Sequence, residues 1–400
     1  MAHKISYVDD NGSEGYAHWQ MLRLIRDFAG GYGTFSAPTF SGTGTGKLVN
    51  IDTDPDSVTE TWTIQCTAAA TPGAETWSVT GSVSGAQADA TTGVAYTSSL
   101  LGFAINTGAT AFAVNDTFTL DVTAGEIDAA HRWTVERYLT PDGDADKREL
   151  VLKGQGLSGA EEIYIGFRCY QDPTQDYYNM TVAGFTGYVA ANDFAAQPGY
   201  IERGVCSHNQ RIDYWLAVNA QRILFGLKIG SPAVYEVAYV GKYYPYATPS
   251  QYPYPLAVCG TLPSATPATR YSDTSSTHGT GCRGYASNSS RSDRTGYLRD
   301  IMGNWITFRC LPWTADYNNS PDIRRDTGGY YQALKAVMMT GAANNPGGSG
   351  NVWGELDGVR YLSGFNNVSE NTAMIDSKLN VMLGDVWRTG IGDYFLLEMD

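Results

Sequence analysis

Apolar residues are packed most densely between Ile201 and Gly260. Three runs there predict strands: Asp213–Val218, Arg222–Leu227 and Ala233–Val240. They lead into the tract Gly241–Pro255, which holds four prolines and five tyrosines. Proline fixes φ and removes a donor, and tyrosine brings a stiff, half-polar ring. That composition excludes a central strand. It predicts an extended, polyproline-like belt whose rings pack on a neighbouring sheet or subunit, with a Tyr/Pro-rich surface linker as the alternative.

Helical periodicity occurs once. In Tyr16–Ala29, Trp19, Leu22, Ile25 and Phe28 recur every third residue, Ser13 is a candidate N-cap, and Gly30-Gly31 supplies a C-cap. Residues 1–14 are polar and predict an extended or mobile lead. Alternation of period two marks strands at Thr61–Cys66, Thr76–Val79, Gly102–Ile105 and Asp116–Val122. Beyond Ile127 it recurs at Arg132–Tyr138, Arg148–Lys153, Glu162–Tyr170, Trp305–Cys310 and Asp393–Glu398, with a hairpin turning at Asp357-Gly358. The expected fold is mainly β, a multi-domain, β-sandwich-like architecture with one short N-terminal amphipathic helix. Its expected parts are an arm and helix over 1–33, a small Thr/Ala/Gly-rich module over 34–126, and a body over 127–400 that carries the belt.

Composition narrows the function. Only 17% of the 400 residues are charged, against about 25% in ordinary soluble domains, and the net charge is −14. With no basic block, a nucleic-acid partner is not expected. No apolar run is long enough for a membrane span and no leader is visible, so a chain made and first soluble in a cytoplasm is expected. Six cysteines (Cys66, Cys169, Cys206, Cys259, Cys282, Cys310) lack zinc-site spacing and read as buried thiols, with a Cys259–Cys282 pairing left open.

The motifs that suggest chemistry each fail on context. Gly279–Gly284 satisfies GxGxxG but follows a loop, so no dinucleotide is expected. Gly42-Thr-Gly-Thr-Gly-Lys47 resembles a phosphate loop, yet Leu48 stands where a hydroxyl is needed. Asp52/Asp54/Asp56 and Asp142/Asp144/Asp146 begin like calcium loops but lack the glycine and the final glutamate. Cys206, Ser207 and His208 adjoin, but neighbours on a strand point to opposite faces. Asp172 and Asp176 beside Tyr177 and Tyr178 fit a turn better than a sugar-cleaving pair. No catalytic, cofactor or metal residue is nominated, and no enzyme is expected.

Several stretches carry a family likeness. Gly12–Phe28 resembles the short helix that starts many tail and baseplate-associated proteins of tailed bacteriophages, and Trp77–Gly85 through Val114–Gly125 is similar to a β-module that follows it. Arg148–Gly159, Tyr252–Pro255 and Gly354–Phe365 resemble the body of the same group of virion proteins. The resemblance implies a virion structural protein, in the tail or baseplate, present as a symmetric homo-oligomer among other virion proteins. A collar, neck or capsid-surface position stays open. The expected assembly contacts are Trp19, Leu22, Ile25 and Phe28 on the helix, with Tyr243, Tyr244, Tyr246, Tyr252 and Tyr254 on the belt. Rival readings are a module that grips host surface glycans with exposed tyrosine and tryptophan, and a hydrolase.

Overall fold

The computed structural model describes residues 1–10, 15–69, 71–140, 148–247, 255–262, 270–271, 296–311, 333–340, 351–363, 368–384 and 393–400. The fold is mainly β, with several antiparallel sheets and, among the described residues, one short α-helix, Ala17–Gly30. The chain forms two compact units, Ile25–Ala129 and a discontinuous one made of Met1–Leu24 with Ala130–Asp400. The expected division at residues 33 and 126 therefore does not describe the front of the chain, since residues 1–24 group with the body. Ala2–Val8 is an edge strand of the body, in register with Ile212–Val218 from Ala2 opposite Val218 to Val8 opposite Ile212. It is neither a separate arm nor a mobile lead.

The body is built around a seven-stranded central sheet in the order Ala2–Val8, Ile212–Val218, Arg222–Ile229, Val234–Lys242, Leu256–Cys259, Gly296–Arg299, Trp305–Thr307. Its middle strands are buried almost throughout; in Arg222–Ile229 only Lys228 is not fully buried. Such runs form where a sheet is covered on both faces, and this one is. A five-stranded meander (Thr134–Leu139, Glu149–Gly154, Ile163–Asp172, Tyr177–Phe185, Ile201–Cys206) covers one face, where Phe167 meets Phe225 at a centroid distance of 6.4 Å. Gly184 belongs to this contact, because a Cβ there would press on Val258 and Trp305. The other face, with Trp215, Leu224, Val237 and Tyr239, joins Val359, Tyr361, Leu383 and Phe395 of a third sheet in one core. That third sheet runs Arg309–Leu311, Leu334–Thr340, Asn351–Ser363, Asp393–Glu398, Lys378–Gly384, Thr372–Ile375, with Tyr244–Pro245 added beside Asn351–Ser363.

Two expectations are corrected here. Trp305–Cys310 is not one strand: Trp305–Thr307 belongs to the central sheet and Arg309–Leu311 to the third sheet. Asp357-Gly358 is not a hairpin turn but a bulge within the strand Asn351–Ser363, where the register against Leu334–Thr340 shifts. Gly358 has φ +73°, and an added Cβ would collide with the Arg222 guanidinium.

The unit Ile25–Ala129 has its own core around Trp62, Ile64, Trp77, Phe103, Phe112, Phe118 and Leu120, held between a three-stranded and a seven-stranded sheet. Alternation over Glu60–Cys66 and Thr117–Thr123 puts one row of each strand inside. The phosphate-loop look-alike is filled from within. The Asp116 carboxylate accepts from the backbone N–H of Thr43 (3.0 Å), Gly44 (2.9 Å) and Ala113 (3.0 Å). Asp54 accepts from the Asp56 N–H in an ordinary acidic turn.

The helix ends as expected. Gly31 has φ +75°, its N–H donates to Phe28 O and the Tyr32 N–H to Asp27 O, which is a Schellman cap. Ser13 lies outside the described residues, as do Asp142, Asp144, Asp146, Gly279–Gly284 and Cys282. The five described cysteines are buried thiols.

Candidate assembly surface and buried polar clusters

Three of the four expected helix contacts are buried within the chain. Leu22, Ile25 and Phe28 are buried, and Trp19 is half-buried, with the Arg148 guanidinium 4.0 Å from its ring centroid and Tyr16 at 4.8 Å. The stripe is amphipathic because it packs within its own chain. On the belt, Tyr243 is also buried, in the core shared by the central and third sheets. Tyr252 and Tyr254 lie outside the described residues.

Tyr244 and Tyr246 are different. Tyr244–Pro245 forms a two-residue strand opposite Glu355 and Gly354, and the Tyr246 N–H donates to Trp353 O at 2.9 Å. Proline is tolerated in this short edge strand because the donor to the neighbouring strand is Tyr246, not Pro245. The two residues are 45% and 56% exposed. The Tyr246 hydroxyl donates to Glu355 (3.1 Å), and Glu355 also pairs with Lys335 at 2.8 Å. Lys378–Glu398 (2.5 Å) and Arg360–Asp376 (2.7 Å) continue the alternation of charge across this sheet. A cleft of about 160 Å³ lies between Tyr244 and these pairs, with Asp357 in its wall.

Beneath the cleft is a buried polar knot. Arg222 is fully buried, and its Nε donates to Asp357 Oδ2 at 3.1 Å. Asn219 and Gln221 donate to the same oxygen, at 2.9 and 3.4 Å. Burial alone would raise the Asp357 carboxyl, but Arg222 and the two amides overcome it and hold it below the ordinary carboxylate range. A second buried carboxylate, Glu202 on the meander, is held by Arg168 through Nε (2.9 Å) and Nη2 (2.5 Å), and by the hydroxyls of Thr181 and Tyr200. Both acids are spent on arginines. The Asp172 carboxylate accepts from the N–H of Thr174 and Gln175, so the segment before Tyr177 is a turn. Among the described residues, no set of three His, Cys, Asp or Glu side chains could hold a metal ion. No helix among them is long and apolar enough to cross a membrane.

No family model matches this chain, and no curated protein matches it. Among solved structures it is similar to FlgL of Xanthomonas campestris, at 20% identity and a TM-score of 0.18, over 26% of this chain and 34% of that one. The match thus spans about a third of FlgL, and a likeness this slight carries no argument about fold or role.

Sequence reasoning also missed a buried histidine, His18. It lies against Tyr178 (5.6 Å) and Tyr16 (5.9 Å), and the Cys169 Sγ donates to its carbonyl. Burial, helped by Arg148 and His208 and opposed by Gln171, pulls its pKa from 6.5 to about 3. The unfolded chain therefore takes up a proton below pH 6.5 that the folded chain refuses until about pH 3. Stability falls with pH through that window, by about 1.4 kcal/mol per unit. Between pH 7 and pH 5, wild type should lose about 2 kcal/mol more than His18→Gln in urea titrations. Equal losses would refute this role.

Proposed function

We propose that this chain is a non-enzymatic structural subunit of a tailed-phage virion, in the tail or baseplate, that works by association with further copies of itself and with other virion proteins. The observation that carries the reading is the pair of exposed tyrosines, Tyr244 and Tyr246, on a proline-anchored strand beside alternating ion pairs. Interfaces are commonly built that way, with aromatic anchors surrounded by a polar rim. The likeness of the chain's sequence to tail and baseplate-associated proteins supplies the setting. Because Leu22, Ile25 and Phe28 are buried, attachment runs through this sheet rather than through the helix.

The test is sedimentation velocity on the purified full chain and on the Tyr244→Ser/Tyr246→Ser variant. The wild type is expected to form a discrete oligomer. The variant should stay folded by circular dichroism and associate at least roughly tenfold more weakly, since each anchor ring is worth on the order of 1–2 kcal/mol. A wild type that stays monomeric at high concentration, or a variant that assembles equally well, overturns the proposal.

A further inference from the structure

A second cavity, of about 240 Å³, opens at one end of the strands Ile212–Val218 and Arg222–Ile229. Its lining includes His208, Arg211, Asp213, Lys228, Gly230 and Tyr271. The floor belongs to a row set by sheet register. Tyr7, Asp213, Lys228 and Tyr235 stand opposite one another across four strands and share one face. One wall is aromatic: the Tyr271 ring stands edge-to-face on His208 at 4.9 Å and lies against Gly230. A Cβ at Gly230 would collide with that ring, and φ there is +74°.

The charges of this floor are already balanced. Arg211 donates through Nε (3.0 Å) and Nη2 (2.7 Å) to Asp213 Oδ1, and its guanidinium lies 4.1 Å from the Tyr7 ring centroid. Lys228 donates to Glu370 at 2.6 Å, and the Tyr235 hydroxyl donates to the same oxygen at 2.6 Å. Among the described residues two cations face two carboxylates, so a phosphate or other anion would meet no uncompensated positive charge from them. An apolar ligand would strand the same groups without water. Each of them nevertheless keeps hydrogen-bonding capacity. A guanidinium has five N–H donors, an ammonium three, and a carboxylate two oxygens, so these pairs use only part of it.

Fixed donors and acceptors beside an aromatic ring match a ligand that is polar at its edge and apolar on its face. The volume lies below the roughly 300–1,000 Å³ of pockets for drug-sized ligands, which leaves room for one small ring. We propose that this cavity binds a single neutral hexopyranose, the terminal ring of a glycan. Its C–H face rests on Tyr271, and its hydroxyls donate to Asp213 and accept from Arg211 and Lys228. The site is separate from the tyrosine surface above, so each proposal can fail without the other.

Saturation-transfer NMR on the full chain tests this, with the methyl glycosides of glucose, galactose and mannose, with N-acetylglucosamine, and with inorganic phosphate as competitor. At least one neutral sugar should bind, with a Kd on the order of millimolar. Binding should weaken at least roughly tenfold in Asp213→Asn and in Tyr271→Ala, and phosphate should not compete. Asp213→Asn keeps the shape of the side chain; with a wild-type melting curve it decides the matter even if Tyr271→Ala does not fold. Absence of saturation with every sugar at tens of millimolar, unchanged binding in Asp213→Asn, or displacement by phosphate overturns the proposal.

Discussion

Asp357→Ala is expected to destabilise the body by about 3–5 kcal/mol, among the largest effects available to a single substitution in this chain. The loss comes from what is left behind. Arg222 is fully buried, its Nε would lose its carboxylate, and the Asn219 and Gln221 amides would lose the same acceptor. Removing the charge on both sides should behave differently. Arg222→Met with Asp357→Leu is expected to recover most of the stability, because apolar groups of similar size commonly replace a buried ion pair without loss. Urea unfolding of the two single variants and the double variant measures the coupling. An Asp357→Ala protein within about 1 kcal/mol of wild type would show the knot to be better hydrated than its burial indicates.

Asp116→Ala should cost the unit Ile25–Ala129 about 3–5 kcal/mol. Three backbone N–H groups, of Thr43, Gly44 and Ala113, converge on this one carboxylate, which is 3% exposed. Bonds to a charged acceptor contribute about 1.5–3 kcal/mol each, though they do not add fully. Asp116→Asn keeps one oxygen and should lose about half as much. Burial works to raise the Asp116 carboxyl, but the three N–H groups outweigh it and lower it below its usual value. Its contribution is therefore complete above the ordinary carboxylate range and disappears as pH falls through the lowered value. Hydrogen exchange gives the local readout, since the amides of Thr43, Gly44 and Ala113 should become fast-exchanging in Asp116→Ala. Continued protection of those three would rule out this anchoring role.

Strand periodicity was the most legible feature of the sequence. In Glu60–Ala68 and Thr117–Thr123 the alternation of threonine with apolar residues is the alternation of exposed and buried positions. Ile223–Leu227 reads instead as an unbroken apolar run because both faces of its strand are covered, which period-two reasoning registers as density without assigning layers. Ala2–Val8 was illegible for another reason. It is an edge strand with Ile5 and Tyr7 exposed, and its partner lies past residue 211. The split of Trp305–Leu311 between two sheets carries no glycine or proline to announce it. At Asp357-Gly358 the sequence does signal positive φ, but that signal is shared by turns and bulges, and only the buried arginine beneath decides between them. The helix stripe was plain from spacing, whereas what covers it was not, because an apolar face looks the same whether it docks within the chain or on a neighbour. The 240 Å³ cavity draws on His208, Asp213, Lys228 and Tyr271, which no local motif connects.

The pairing of Ala2–Val8 with Ile212–Val218 also bears on biosynthesis. At elongation rates of about 5–20 residues per second, the opening strand waits on the order of 10–40 s after leaving the ribosome before its partner is translated. The contiguous stretch Ile25–Ala129 can mature during that delay, while the first strand remains a bare β-edge in a crowded cell. Chains stalled before Ile212 should consequently be cut by protease within Ala2–Val8, and the full chain should resist cleavage there.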